Sequence, residues 1–201
     1  MSHFSDYPTQ ASIMTNKPII VGISGASGII YGIRLLETLK QLNIETHLVM
    51  SKSAELTLSY ESKISTKEIQ SLATQVHNIK NIGASIASGS FLTRGMIIAP
   101  CSVRTMSEIN TGVTSTLLTR AADVVLKERG KLALMVRESP LHTGHLRTMT
   151  SLSEMGAIIA PPLPAFYTNP ESLDDIINHS VGRVLDLFDI DCGTLKRWGT
   201  E

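Results

Sequence analysis

Short apolar runs alternate along this chain with stretches whose apolar residues recur every three or four positions. The runs PIIVGIS (18–24), IETHLVM (44–50), GMIIAPC (95–101), KLALMVR (131–137) and GAIIAPP (156–162) have the length and apolar content of buried strands. From Gly28 onward, Ile29, Ile33, Leu36 and Leu39 follow helical spacing, which predicts an amphipathic helix directly after the first strand. Further helices are expected from Ser51, within 62–94 ahead of a Gly/Ser loop ASGSF (87–91), across 102–128, and over 171–188. Strands alternating with helices imply a parallel sheet with both faces covered, because each crossover helix packs back onto the sheet. The expected fold class is α/β, a doubly wound parallel sheet in three αβα layers. One domain over 18–201 accounts for these elements, and the polar residues 1–17 read as a flexible N-terminal tail.

That architecture says where to look for chemistry. Ligands of such sheets bind at the carboxyl ends of the strands, near the topological switch point. Gly25, Ala26 and Ser27 follow the first strand, Ser51 the second, and Pro100, Cys101 and Ser102 close the third. Arg137, Glu138, Ser139 and Pro140 follow the fourth, and prolines leading to Phe166 and Tyr167 follow the fifth. Hydroxyls, an arginine, a carboxylate and a tyrosine are thereby expected at one edge. The opening turn VGISGASGIIYG (21–32) spaces its glycines as Gly22-x-x-Gly25-x-x-Gly28, not as the G-x-G-x-x-G of dinucleotide sites. Glu45 has the spacing of a ribose-binding acid but opens the second strand, at the wrong end of the sheet; Ser51 stands at the right end. FMN is therefore expected ahead of NAD, its phosphate held by backbone N–H groups, Ser27, Ser51 and a helix N-terminus.

Composition removes other classes. The chain has 201 residues, 42% hydrophobic, enough for one well-filled core. Lys+Arg and Asp+Glu balance at 18 each, so no long-range field favours nucleic acid or an acidic membrane. Aromatics at 4% leave little surface for base stacking. Cys101 and Cys192 make no disulfide framework, which suits a reducing compartment. No apolar run approaches the roughly 20 residues of a membrane span. The first 17 residues lack a signal-peptide core. A cytoplasmic location, with no nucleic acid or membrane partner, is the expectation.

Seven blocks stand in order with their spacing intact: GASGIIYGIRLLETL, SGSF, GMIIAPCSVRT, LLTRAADVVLKER, VRESPLHTGHLRTM, GAIIAPPLPAFY and VGRVLDLF. Together they resemble the UbiX family of flavin prenyltransferases over about residues 18–200. The resemblance implies a flavodoxin-like fold and a homo-oligomer, a dodecamer with sites at subunit junctions. It implies reduced FMN as acceptor of a dimethylallyl group from dimethylallyl monophosphate. The prenylated FMN would then serve a UbiD-type decarboxylase, as in ubiquinone biosynthesis. Motif by motif, it assigns the flavin to Gly25, Ala26, Ser27, Ser51, Ser102, Val103, Arg104, Thr105 and Arg137. The prenyl phosphate falls to Ser90, Lys127, Glu138, Tyr167 and Arg183, with Arg120 nearby and Trp198 closing the site. Glu61 would work with Ser27 in moving protons at the flavin. One small departure is RESP (137–140) where the family commonly has RETP.

The chemistry supports such a set. Cleaving a C–O bond to phosphate places negative charge on a poor leaving group. Common prenyltransferases meet it with Mg²⁺ on an aspartate-rich motif, for which Asp174-Asp175 is the only candidate. Ser172 with Asp175 three residues later reads instead as a capping box, so no metal is expected. Lys127, Arg183 and Tyr167 must then supply charge and hydrogen bonds, each preorganised donor contributing about 3–4 kcal/mol. Glu138 would protonate the departing phosphate or take the proton lost at ring closure. The catalytic set is thus Ser27, Glu61, Lys127 and Glu138. Plainer roles compete for several positions. Arg120, Asp123 and Lys127 have the spacing of a solvated ion-pair ladder. His142 and His145 have helical spacing but no third metal ligand in view. Cys101 reads as a buried small hydrophobe, and Met149 and Met155 as core. Two rival functions remain: an FMN-dependent decarboxylase of the cysteine-decarboxylase type, against which PCSVRT (100–105) stands, and a non-catalytic FMN carrier.

Overall fold

The computed structural model describes residues 17–193, 195 and 197–199. The tail expected over 1–17 lies outside the described residues except for Lys17. The strands are β1 (Ile19–Ile23), β2 (Thr46–Met50), β3 (Gln75–His77), β4 (Gly95–Cys101), β5 (Leu132–Val136) and β6 (Ile158–Ile159). They form one sheet, paired in parallel throughout, in the order β3-β2-β1-β4-β5-β6. The helices are α1 (Ile29–Gln41), α2 (Lys52–Glu61), α3 (Thr66–Gln70), α4 (Val103–Thr111), α5 (Leu117–Lys127), α6 (Thr143–Glu154) and α7 (Leu173–Asp186). Setting the short edge strand β3 aside, the order is that of flavodoxin-like sheets. The chain builds outward from β1 on one side, then returns to β4 on the other. The switch point lies between β1 and β4.

Strands β1, β2, β4 and β5 are buried along their whole length, and side-chain alternation splits their residues between two cores. Val21, Ile23, Met50, Ile97 and Met135 join Leu35, Leu36, Val181 and Leu185 of α1 and α7. Ile20, Val49, Ile98 and Leu134 join Met106, Leu118, Ala122 and Val125 of α4 and α5 on the opposite face. Gly32 sets how closely α1 lies on the sheet. A Cβ there would overlap the carbonyl oxygen of Ala99 and stand 2.8 Å from Ile23 Cδ1. Only glycine allows that approach.

The strand and helix pattern holds with local differences. The expected fifth strand shrinks to Ile158–Ile159, because prolines at 161, 162 and 164 remove ladder donors. The helical stretch 102–128 is two helices, each opened by its own hydroxyl cap, Ser102 and Thr116. Met149 packs partly buried against the second core, whereas Met155 is 38% exposed at the end of α6. Ser172 and Asp175 form the expected capping box.

Candidate active site

At the carboxyl ends of β1, β2 and β4 lies a cleft of about 720 Å³. Gly25, Ala26 and Ser27 line it from the β1–α1 turn, Ser51, Lys52 and Ser53 from the start of α2, and Ser102 to Thr105 from the start of α4. Arg137 and Glu138 close it from beyond β5. Two serine caps explain why helices begin here: Ser51 Oγ accepts the Ala54 N–H at 3.0 Å, and Ser102 Oγ accepts the Thr105 N–H at 3.2 Å. First-turn N–H groups have no intrahelical acceptor and sit at the positive end of the helix dipole, so both helix starts favour an anion. Gly25 is required by crowding. A Cβ there would overlap Ser53 Cβ and reach 3.0 Å from its carbonyl carbon.

Sequence reasoning passed over Ser24, which ties the edge together. Fully buried, it donates to Pro100 O at 2.9 Å and accepts the Ser102 N–H at 2.7 Å. Its visible signal was a hydroxyl ending an otherwise apolar strand. The N-terminus of α1 is used differently from the expectation of a bound phosphate. Glu61, at the end of α2, accepts the N–H groups of Gly28 at 2.8 Å and Ile29 at 3.0 Å. A carboxylate therefore already serves those amides, and the helix starts lining the cleft are those of α2, α4 and α5, the last through Thr116, Leu118 and Thr119. Desolvation works against ionising Glu61. The Ser27 hydroxyl, the Ile29 and Gly28 amides and the nearby Arg137 charge outweigh it, holding the carboxyl below its usual range. Tyr31, a second residue the sequence gave no reason to single out, faces the same arginine. Burial pushes its phenol up, against the pull of Arg137 and a Ser180 hydrogen bond.

Of the residues expected at the prenyl phosphate, Glu138 alone lines this cleft; it accepts the Ser139 N–H at 3.0 Å. The others fall into separate groups. Ser90 hydrogen-bonds Ser88, and its neighbour Gly89 approaches Lys127, where a Cβ would stand 2.8 Å from Lys127 Nζ; Lys127 pairs with Glu128. Arg120 pairs with Asp123 at 2.8 Å, the first rung of the ladder foreseen as its plainer role, while Lys127 leaves that ladder. Tyr167 and Arg183 line a second cavity of about 410 Å³ whose walls include Met135, Ile158 and Leu163. Trp198 meets Tyr167 edge-on, with ring centroids 5.3 Å apart.

Asp174 pairs with Arg34 at 2.7 Å, and Asp175 accepts the N–H groups of Glu171 and Ser172. His142 caps α6 through its Nδ1, and its ring stacks on His145 at 3.6 Å. Cys101 is buried, and desolvation pushes its thiol up to about 12. Among the described residues no group of three or more His, Cys, Asp or Glu could hold a metal, and no helix is long and apolar enough to cross a membrane.

A doubly wound sheet with anion-favouring helix starts at its switch point is an architecture of flavin-binding proteins. The protein-family model for flavoproteins matches residues 9–185. The chain is 59% identical over 180 residues to the flavin prenyltransferase UbiX of Thauera aromatica, covering 90% of this chain and 93% of that protein. Among solved structures, AnUbiX (PadA1) in complex with FMN and dimethylallyl pyrophosphate superposes with a TM-score of 0.91 at 47% identity, over 92% of this chain and 99% of that one. The dodecameric FMN-dependent UbiX-like decarboxylase from Escherichia coli O157:H7 gives 0.89 at 48% identity, over 91% and 100%. The chain belongs to the UbiX family of flavin prenyltransferases.

Proposed function

We propose that this chain transfers a dimethylallyl group from dimethylallyl monophosphate to reduced FMN. The observation that carries this reading is the cleft at the switch point. It gathers every residue assigned to the flavin, on a chain whose relatives at 59% identity are flavin prenyltransferases. Its volume lies within the usual range for small-molecule and cofactor sites. Hydroxyls of Ser51, Ser102 and Thr105 and the starts of α2 and α4 suit the phosphate, and Ala26, Ile79, Val103 and Leu118 give apolar surface for a ring system. Reduced FMN supplies the nucleophilic ring that accepts the prenyl group.

The chain's own side chains do the remaining work. Arg137 stabilises negative charge near the ring, beside Glu61 and Ser27, whose hydrogen bond gives a short path for a proton. Lys127, Arg183 and Tyr167 take up the charge that develops on the departing phosphate, and Glu138 handles a proton. In one chain these donor-binding groups are dispersed, which supports a homo-oligomer, a dodecamer like the Escherichia coli relative, with the donor site completed by another copy. The product, prenylated FMN, serves a UbiD-type decarboxylase of the ubiquinone route.

Mass analysis of the flavin after anaerobic incubation with reduced FMN and dimethylallyl monophosphate tests the activity. FMN heavier by one dimethylallyl unit is expected. Unmodified FMN, with bound flavin and intact protein, would overturn the transferase reading in favour of the two rivals, an FMN-dependent decarboxylase and a non-catalytic FMN carrier.

A further inference from the structure

The last turn of α7 ends in a carboxylate shared by two arginines. Asp186 has a side chain only 16% exposed. Its Oδ2 accepts from Arg183 Nη1 and from Arg197 Nη1, each at 2.8 Å, and its Oδ1 accepts from Arg197 Nη2 at 2.9 Å. Arg197 thus makes a two-point fork, and Arg183 a single bond to the shared oxygen. Forked arginine–carboxylate pairs are the stronger and the more directional. The Arg183 contact is local, three residues back on the same helix, but Arg197 comes from beyond the helix and its pairing fixes where the C-terminal segment runs.

Trp198 brings that segment to Tyr167, which lines the second cavity. One residue past Arg197, Trp198 sets its ring edge against Tyr167. The Tyr167 hydroxyl lies 3.1 Å from His179 Nε2, and Tyr167, His179 and Arg183 all line the cavity. Trp198 is 80% exposed, so burial of its own ring contributes little to holding it. Leu195 rests on Gly182, where a Cβ would stand 3.2 Å from Leu195 Cδ1, and the Asp186–Arg197 fork is the second fastening.

We propose that Asp186 is a positioning residue for prenyl transfer: it anchors the C-terminal segment through Arg197 and aims Arg183 at the cavity through the shared oxygen. The proposal rests on the reading of Arg183 and Tyr167 as ligands of the prenyl phosphate. When a phosphate draws Arg183 away, the carboxylate keeps Arg197 with both oxygens, so the segment stays in place while the donor binds.

Trp198 is the only tryptophan of the chain, so its fluorescence anisotropy reports the segment directly, in the FMN-loaded protein and without turnover. Asp186→Asn and Arg197→Ala should both lower that anisotropy, Arg197→Lys should recover part of it, and Arg183→Ala should leave it unchanged. Arg197→Ala should also raise the KM for dimethylallyl monophosphate about 10-fold, with kcat within about 2-fold, as loss of ground-state binding does. Unchanged anisotropy in both Asp186→Asn and Arg197→Ala would overturn the anchor. A loosened Trp198 with unaltered KM in Arg197→Ala would overturn the positioning role. An unaltered KM in Arg183→Ala would overturn the donor reading itself.

Discussion

The flavin cleft and the donor residues are built in opposite ways. Everything assigned to the flavin comes from strand ends and helix starts of one sheet edge, locked by Ser24, two serine caps and the Glu61 hydrogen bonds. Apart from Glu138, the residues assigned to the prenyl phosphate sit on α5, the 88–91 loop, the 163–168 segment and α7, most of them exposed, and none of them lines the flavin cleft. Sheet topology alone can assemble the first site, because parallel strands deliver their ends to one place. In the proposed reading the second needs surfaces brought together, and Tyr167 lies beside exposed apolar side chains, Leu163 at 72% and Phe166 at 74%.

The largest expected effect breaks that comparison at assembly. A variant carrying Leu163→Glu and Phe166→Glu should dissociate, and transfer should fall by roughly 10³-fold or more as the donor groups lose their fixed positions. FMN affinity should change far less. Light scattering with turnover on the same sample decides it, and a monomer as active as the assembly would end the division drawn here.

Next comes the cofactor side. Gly25→Val must displace the start of α2, since even a Cβ overlaps Ser53. FMN affinity should drop by about 10²-fold, a loss of roughly 2.7 kcal/mol of binding. Titration of apoprotein with FMN measures it; wild-type affinity would show that the turn yields freely.

Glu138 lies where the two regions touch, lining the flavin cleft while belonging to the donor set. Glu138→Gln should keep FMN affinity and lose turnover by roughly 10²-fold, as expected for a positioned acid or base. A variant that prenylates at the normal rate would remove this residue from the chemistry.

How much of this was legible beforehand follows the same division. Strand ends are local, so the residues after β1, β2, β4 and β5 can be read from the apolar runs: Gly25 to Ser27, Ser51, Ser102, Arg137 and Glu138 line one cleft, whereas the tyrosine expected at the same edge, Tyr167, lines the second cavity. The edge strand β3 could not: three residues with two exposed positions carry no periodicity. Helix α6 carries too weak a stripe to be read from the sequence, because only Leu152 is fully buried. Glu61 comes from the family resemblance alone, and its hold on the amides at the start of α1 joins residues 32 and 33 apart, visible only in three dimensions. The separation of Ser90 and Lys127 from Tyr167 and Arg183 is likewise invisible in sequence order.

The smallest effect probes what lies beneath the donor side. Behind the 88–91 loop, His77 Nε2 meets His47 Nδ1 at 2.9 Å, and Phe91 packs on the His47 ring with centroids 4.9 Å apart. Glu45 faces the far side of His47, its Oε1 3.3 Å from Nε2. Burial first, and the His47 charge second, pull His77 below the ordinary histidine value of 6.5. A base whose folded pKa lies below its unfolded value binds its proton more readily when unfolded. Stability is therefore fully present above about 6.5 and declines as pH falls from there toward the folded pKa. Replacing the ring by His77→Gln removes that linkage. Urea midpoints at pH 7.5 and pH 5.5 should converge in the variant relative to the parent, with FMN affinity unchanged because this cluster lines no part of the cleft. If the variant keeps the parent's full pH dependence, the acid sensitivity lies elsewhere. If it also loses FMN, the two regions are coupled through β2, and the cofactor side is less self-contained than its geometry indicates.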